Sequence, residues 1–204
     1  MPLTYIALGD SYTIGEGVEP DGRWPMQLAQ ALRETGIALA DPHIIATTGW
    51  TTDELCAAMD AEEPLGTWDF VSLLIGVNDQ YRGRGVDEYI DQFTSLLQRA
   101  VALAAGRVDR VLVLSIPDWG VTPFAAASGR DLVQIADELD GYNAAGRELC
   151  ALHGVAFVDI SGIAREHGSD IAMLAEDGLH PSAGMYAEWT KMALPAAKFL
   201  LHST

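Results

Sequence analysis

The chain has 204 residues, 49% of them hydrophobic and 20% charged, which suits a single globular domain spanning residues 1–204. Twelve basic against 29 acidic residues leave a net charge of −17, a balance that repels polyphosphate and anionic headgroups and argues against nucleic acid or an anionic membrane as partner. The two cysteines, Cys56 and Cys150, stand in neither a CxxC pair nor a Cys/His cluster, so a disulfide framework and a zinc site are disfavoured and a reducing compartment is the simplest expectation.

Residues 4–8 (TYIAL) form the first predicted strand, closed by Gly9. Residues 25–35 predict a helix with Met26, Leu28, Ala29 and Leu32 on one face. A second, weaker strand is predicted at 43–46 (HIIA), then a helix over 52–59 with Thr52 as N-cap and the carboxylates Asp53 and Glu54 in its first turn. The third strand falls at 69–75 (DFVSLLI). The long helix at 87–105 follows, carrying Tyr89, Phe93, Leu96, Leu97, Ala100 and Val101 at helical spacing. Residues 110–116 (RVLVLSI) give the strongest strand signal, and 117–130 one long irregular loop. A helix over 132–152, a fifth strand at 155–160 (VAFVDI) and a last helix over 181–201, with Pro181 near its first turn, complete the pass. The N-terminal residues carry no basic n-region, and the longest apolar stretch, 70–77, is too short to span a bilayer. The expectation is a cytoplasmic protein with no stable membrane association.

Strands alternating with helices imply a parallel sheet covered on both faces, and the near-continuous apolar strands agree. In such a sheet ligands bind beyond the carboxyl ends of the strands. The segments expected there are Gly-Asp-Ser-Tyr-Thr (9–13), Thr-Thr-Gly-Trp-Thr-Thr (47–52), Gly-Val-Asn-Asp (76–79), Pro-Asp-Trp-Gly (117–120) and Asp-Gly-Leu-His-Pro (177–181). Together they bring a hydroxyl, an exposed glycine backbone, a carboxamide, aromatic rings and a carboxylate–imidazole pair, the parts that acyl transfer needs. Among the histidines, His43 and His153 precede strands and lie at the wrong edge, His202 is at the chain end, and His167 sits in a polar stretch. His180 follows Asp177 by three residues. In a turn, that spacing lets the carboxylate accept a hydrogen bond from Nδ1–H and leaves Nε2 free as a base.

Each signal alone has an ordinary structural explanation: a strand-to-helix turn at Ser11, turn residues at Gly49 and Asn78, a capping Asp beside a surface His at 177–180. A second reading takes Gly15-Glu16-Gly17 as a phosphate cradle in a non-catalytic flavodoxin-like module. The chain has no G-x-x-x-x-G-K-[ST] and no G-x-G-x-x-G, however, and Glu16 is a poor neighbour for a phosphate.

The order Ser11, Gly49, Asn78, Asp177/His180, each after a successive strand, resembles the SGNH (GDSL-type) esterase and lipase family. Gly9-Asp10-Ser11-Tyr12 stands where the family reads Gly-Asp-Ser-Leu/Ile. Gly76-Val77-Asn78-Asp79 matches Gly-x-Asn-Asp, Asp177-Gly178-Leu179-His180-Pro181 matches Asp-x-x-His-Pro, and the lone second-block glycine is best placed at Gly49. Tyr12 is the main departure and bears on the pocket rather than the chemistry. The resemblance implies a three-layer α/β/α sandwich with a five-stranded parallel sheet, flavodoxin-like, without metal or cofactor. It implies Ser11 as nucleophile, His180 as general base then acid, Asp177 as its orienter, and the Ser11 and Gly49 N–H groups with the Asn78 amide as oxyanion hole. Asp10 and Asp79 read as hydrogen-bonding scaffolds. The chain lacks the G-x-S-x-G elbow of ordinary α/β-hydrolases. Tyr12, Trp50, Tyr81 and Trp119 are candidates to line the substrate pocket, with plain hydrophobic packing as the alternative. The expected partner is a small-molecule ester, with short-chain acyl esters such as acetates favoured; lysophospholipase and thioesterase activities are the alternatives within the family.

Overall fold

The computed structural model describes residues 1–202. Five strands, β1 (Tyr5–Gly9), β2 (His43–Ala46), β3 (Phe70–Leu74), β4 (Val111–Leu114) and β5 (Ala156–Val158), pair in parallel in the order β2-β1-β3-β4-β5. The three inner strands, β1, β3 and β4, are buried at every position. Their continuous apolar runs therefore meet helices on both faces. β5, an edge strand, is only partly buried. Register puts Gly9 of β1 beside Leu74 of β3, so both strands deliver their following loops to the same edge.

The connecting helices are α1 (Ser11–Ile14), α2 (Trp24–Glu34), α3 (Thr52–Ala61), α4 (Val77–Tyr81), α5 (Val86–Leu103), α6 (Pro123–Ala127), α7 (Leu132–His153), α8 (Ser161–His167) and α9 (Ala183–His202). Helix α2 packs along α9, and α5 packs along α7 and α3. Trp24, Leu28 and Leu32 of α2, and Phe93, Leu96 and Leu97 of α5, are buried as the 3.6-residue period requires. Each such fully buried side chain contributes about 1.5–3 kcal/mol relative to exposure. Among the described residues no helix is long and apolar enough to cross a membrane.

Three local expectations need correction. The N-cap of α3 is Thr51, not Thr52, and Glu54 closes a capping box by accepting from Thr51 N–H at 2.9 Å. Thr52 is instead the first helical residue, and its hydroxyl is recruited by a buried carboxylate described below. Pro181 lies outside the last helix: it forms an isolated antiparallel bridge with Leu174, and α9 starts at Ala183. The segment 117–130 is not wholly irregular, since it contains a 3₁₀ turn at Trp119–Val121 and α6, each capped by a side chain (Asp118 and Thr122).

Candidate active site

The strand order reverses between β1 and β3, and an open parallel sheet leaves a crevice at that switch point. Ser11 follows β1 and Asn78 follows β3, so the two flank the crevice. Ser11 opens α1 because Asp10 caps it: Asp10 Oδ1 accepts from Tyr12 N–H at 3.0 Å. As the first helical residue, Ser11 has a backbone N–H with no intrahelical acceptor. Asp10 is fully buried and its Oδ2 has no hydrogen-bonding partner. Burial pushes its carboxyl up to about 8, helped by the nearby Asp79 charge and opposed by the bond from Tyr12. Of the two expected scaffolds, Asp10 thus serves one hydrogen bond only.

Asp79 is the fuller one. It is buried at 0% exposure and accepts from Thr52 N–H (3.1 Å), the Thr52 hydroxyl (2.8 Å) and Arg84 Nη1 (3.2 Å). Burial raises its pKa, and the Thr52 bonds and Arg84 partly offset that. It ties α4 to the start of α3, which fixes the turn carrying Asn78. That turn is entered through Gly76 at φ +126°, where a Cβ would lie 2.6 Å from the Tyr89 ring, so only glycine fits. Asn78 Nδ2 donates to the Trp50 carbonyl at 2.8 Å. An amide nitrogen has two hydrogens, so this bond aims the carboxamide and leaves its second N–H for a ligand.

Gly49 has φ +89° and open space where a Cβ would stand. Its need for glycine is conformational, not steric. Its carbonyl is held by Arg82 Nη2 at 2.6 Å, and Arg82 also pairs with Glu54.

On the far side, Asp177 and His180 meet as the spacing foretold. Asp177 Oδ2 is 2.5 Å from His180 Nδ1, and Oδ1 accepts from Leu179 N–H (2.9 Å) and His180 N–H (3.0 Å). Partial burial would raise the Asp177 pKa, but the bonds from His180 and Leu179 outweigh it and hold the carboxylate below its ordinary value. The Tyr12 ring stands edge-on to the imidazole at 5.9 Å and edge-on to Trp189 at the same distance, which backs the imidazole with packed core.

These groups surround one cavity of about 180 Å³. Ser11, Thr48, Gly49, Asn78 and His180 form its polar side, and Tyr12, Val77, Tyr81, Trp119, Phe124 and Leu179 its apolar side. Asp177 sits behind His180 rather than in the wall. Of the four aromatic candidates, Tyr12, Tyr81 and Trp119 line the cavity and Trp50 does not. Trp50 packs against the core and contributes its carbonyl to Asn78. Sequence reading missed Phe124 and Leu179; Leu179 lies inside the D-x-x-H turn and Phe124 in the long segment after β4, which were the available signals. It also missed the brace behind Trp119: the indole Nε1 donates to Gln80 Oε1 (2.8 Å), and Gln80 donates to Glu138 of α7 (2.7 Å). Chemically, the cavity offers a hydroxyl, a carboxamide and an imidazole with one nitrogen already engaged by a carboxylate.

A model of the GDSL-like lipase/acylhydrolase family matches residues 7–188. Among solved structures, the chain is similar to TesA (20% identity, 97% of this chain and 99% of that one, TM-score 0.74). It is also similar to a lipase/acylhydrolase from Enterococcus faecalis (19% identity, 97% and 96% coverage, TM-score 0.73). A third similar structure is an acetylxylan esterase from Geobacillus stearothermophilus (19% identity, 99% and 97% coverage, TM-score 0.72). At these identities the structures show a shared α/β/α fold. No protein of curated function matches the sequence.

Proposed function

Since this chain belongs to the GDSL-like lipase/acylhydrolase family, we propose that it is a serine esterase acting on short-chain acyl esters. The observation that carries the reading is the convergence of Ser11, Gly49, Asn78 and His180 on one cavity, with Asp177 on the imidazole's other nitrogen.

In this reading the Ser11 hydroxyl adds to the ester carbonyl while His180 Nε2 takes its proton. The Asp177 carboxylate holds the Nδ1–H tautomer and stabilises the imidazolium. The carbonyl oxygen gains negative charge and is met by the Ser11 and Gly49 N–H groups and the free Asn78 N–H. Collapse breaks the bond to the alcohol oxygen, which leaves with the proton from His180. Water then repeats the sequence: His180 removes its proton, the acyl–Ser11 bond breaks, and the Ser11 oxygen recovers the proton. Residues Asp10 and Asp79 stay out of the reaction; a carboxylate facing the oxyanion would oppose it, and Asp79 is engaged by Thr52 and Arg84.

The small, mostly apolar cavity favours a short acyl group: binding sites for drug-sized ligands enclose about 300–1,000 Å³. The test is a series of p-nitrophenyl esters from acetate to decanoate, with an acetylated sugar alongside because one fold neighbour is an acetylxylan esterase. The wild type should turn over acetate and butyrate fastest, and Ser11→Ala should lose at least about 10³ in kcat on each. An optimum at long chains would replace the short-acyl assignment with a lysophospholipase-like one. Ser11→Ala with near-normal turnover would remove Ser11 from the chemistry.

A further inference from the structure

The cavity has a neighbour. A second hollow of about 290 Å³ is lined in part by Gln80, Tyr81, Arg130, Gln134 and Glu138. Tyr81 is the residue that lines both hollows. Its ring is fixed from two directions. Trp119 meets it edge-on at 5.3 Å, and the Arg130 guanidinium lies over it at 4.0 Å. Arg130 Nη1 also donates to the Tyr81 carbonyl at 2.9 Å, and the same guanidinium is 5.6 Å from the Trp119 ring. Trp119 is itself nearly fully buried and held by Gln80. Tyr81 is 40% exposed, so its ring is an outer wall rather than core.

Resting on the esterase reading, we propose that Tyr81, clamped by Arg130, is the partition that sets the acyl-chain limit of this enzyme. The direction follows from the chemistry. His180 must reach the leaving oxygen, so the alcohol limb of a bound ester lies on its side. The carbonyl oxygen is taken by the Ser11, Gly49 and Asn78 N–H groups, so the acyl limb takes the remaining direction, into the apolar lining of Val77, Tyr81, Trp119 and Phe124. Tyr81 follows Asn78 by three residues on the same short helix, which brings its ring to the edge of that space. A growing acyl chain therefore meets the Tyr81 ring. Beyond the ring lies the second hollow, where Ile135 and the space vacated by the ring would take further methylenes while Gln80, Arg130, Asp131, Gln134 and Glu138 keep the rest of the lining polar, so only part of a longer chain gains burial there. The guanidinium over the ring face and its bond to the Tyr81 carbonyl favour the upright position of the wall in the absence of ligand.

The experiment is the acyl-chain series from acetate to decanoate on the wild type, Tyr81→Ala, Tyr81→Phe and Arg130→Ala. Each methylene newly taken out of water is worth about a four-fold gain in kcat/KM. Octanoate exceeds butyrate by four methylenes; with two to three of them accommodated, Tyr81→Ala should raise the octanoate-to-butyrate ratio of kcat/KM by roughly fifteen- to sixty-fold. Tyr81→Phe keeps the ring and should keep the wild-type ratio. Arg130→Ala frees the ring and should move the ratio in the same direction as Tyr81→Ala by a smaller amount. A Tyr81→Ala enzyme that stays folded and scales all esters equally would overturn the partition while leaving the esterase reading intact, because the wild type would still hydrolyse the short esters. A wild type inactive on the whole series would overturn both.

Discussion

Replacing Asp177 by Asn changes two atoms' worth of chemistry and little shape. The Asn Oδ1 can still accept from Leu179 and His180 N–H, the bonds that shape the turn at 2.9 and 3.0 Å. What it loses is the acceptor 2.5 Å from His180 Nδ1. An amide NH₂ placed there can only donate, so the imidazole must offer Nδ1 as a lone pair and carry its proton on Nε2. That nitrogen can then no longer take the Ser11 proton, and the imidazolium loses its counter-charge. In serine hydrolases the same tautomer error costs about 10⁴ in kcat. The Asp177 side chain here is 43% exposed, so water can partly replace the lost partner, and we expect a loss of about 10³–10⁴. That range corresponds to about 4–5.5 kcal/mol of transition-state stabilisation. The assay is initial-rate hydrolysis of p-nitrophenyl acetate with kcat and KM resolved, beside the thermal midpoint. KM should change little, and one lost hydrogen bond should destabilise the fold by about 0.5–1.5 kcal/mol. A variant within ten-fold of wild-type kcat would refute the role given to Asp177.

Asn78→Ala removes one oxyanion donor and should lower kcat by about 10²–10³ with KM nearly unchanged; a change confined to KM would make Asn78 a binding residue only. Asp10 gives the fold's stability one component that falls as pH rises. Its carboxyl sits at about 8 in the folded chain against an ordinary 3.8, so the folded state keeps a proton that the unfolded chain releases. The contribution is therefore complete below about pH 4, shrinks as pH rises, and is gone above about pH 8. Asp10→Asn cannot ionise, so the wild-type melting temperature should fall relative to this variant between pH 5 and pH 8, and parallel melting curves would refute the assignment.

Much of this architecture was legible in the sequence, because the elements that build it are long or strongly periodic. Helix α5 shows its buried stripe of Tyr89, Phe93, Leu96, Leu97 and Ala100 directly, and β3 and β4 are continuous apolar runs. The single-turn helices were not legible. Helices α1 and α4 are four and five residues long, too short for a period to register, and they exist because tertiary partners hold them. Asp10 caps the first, and Asp79 ties the second to Thr52. The D-x-x-H turn could be read because its contact is local, three residues apart. The role of Trp50 could not, because an aromatic residue on an active-edge loop reads the same whether its ring lines the site or only its carbonyl does. Arg130 was invisible for a related reason: its contact with Tyr81 comes from the segment that opens α7 lying beside α4, across about fifty residues of sequence with no local trace.

Whether the Ser11 hydroxyl is the nucleophile decides the mechanism. Incubation of the wild type with a serine-directed fluorophosphonate, followed by intact-mass measurement and peptide mapping, tests it without any assumption about the natural ester. One adduct is expected, on Ser11, formed in step with loss of p-nitrophenyl acetate hydrolysis, and greatly slowed in Asp177→Asn. An enzyme that loses activity through labelling at another residue, or that remains unlabelled while hydrolysing esters, would contradict it.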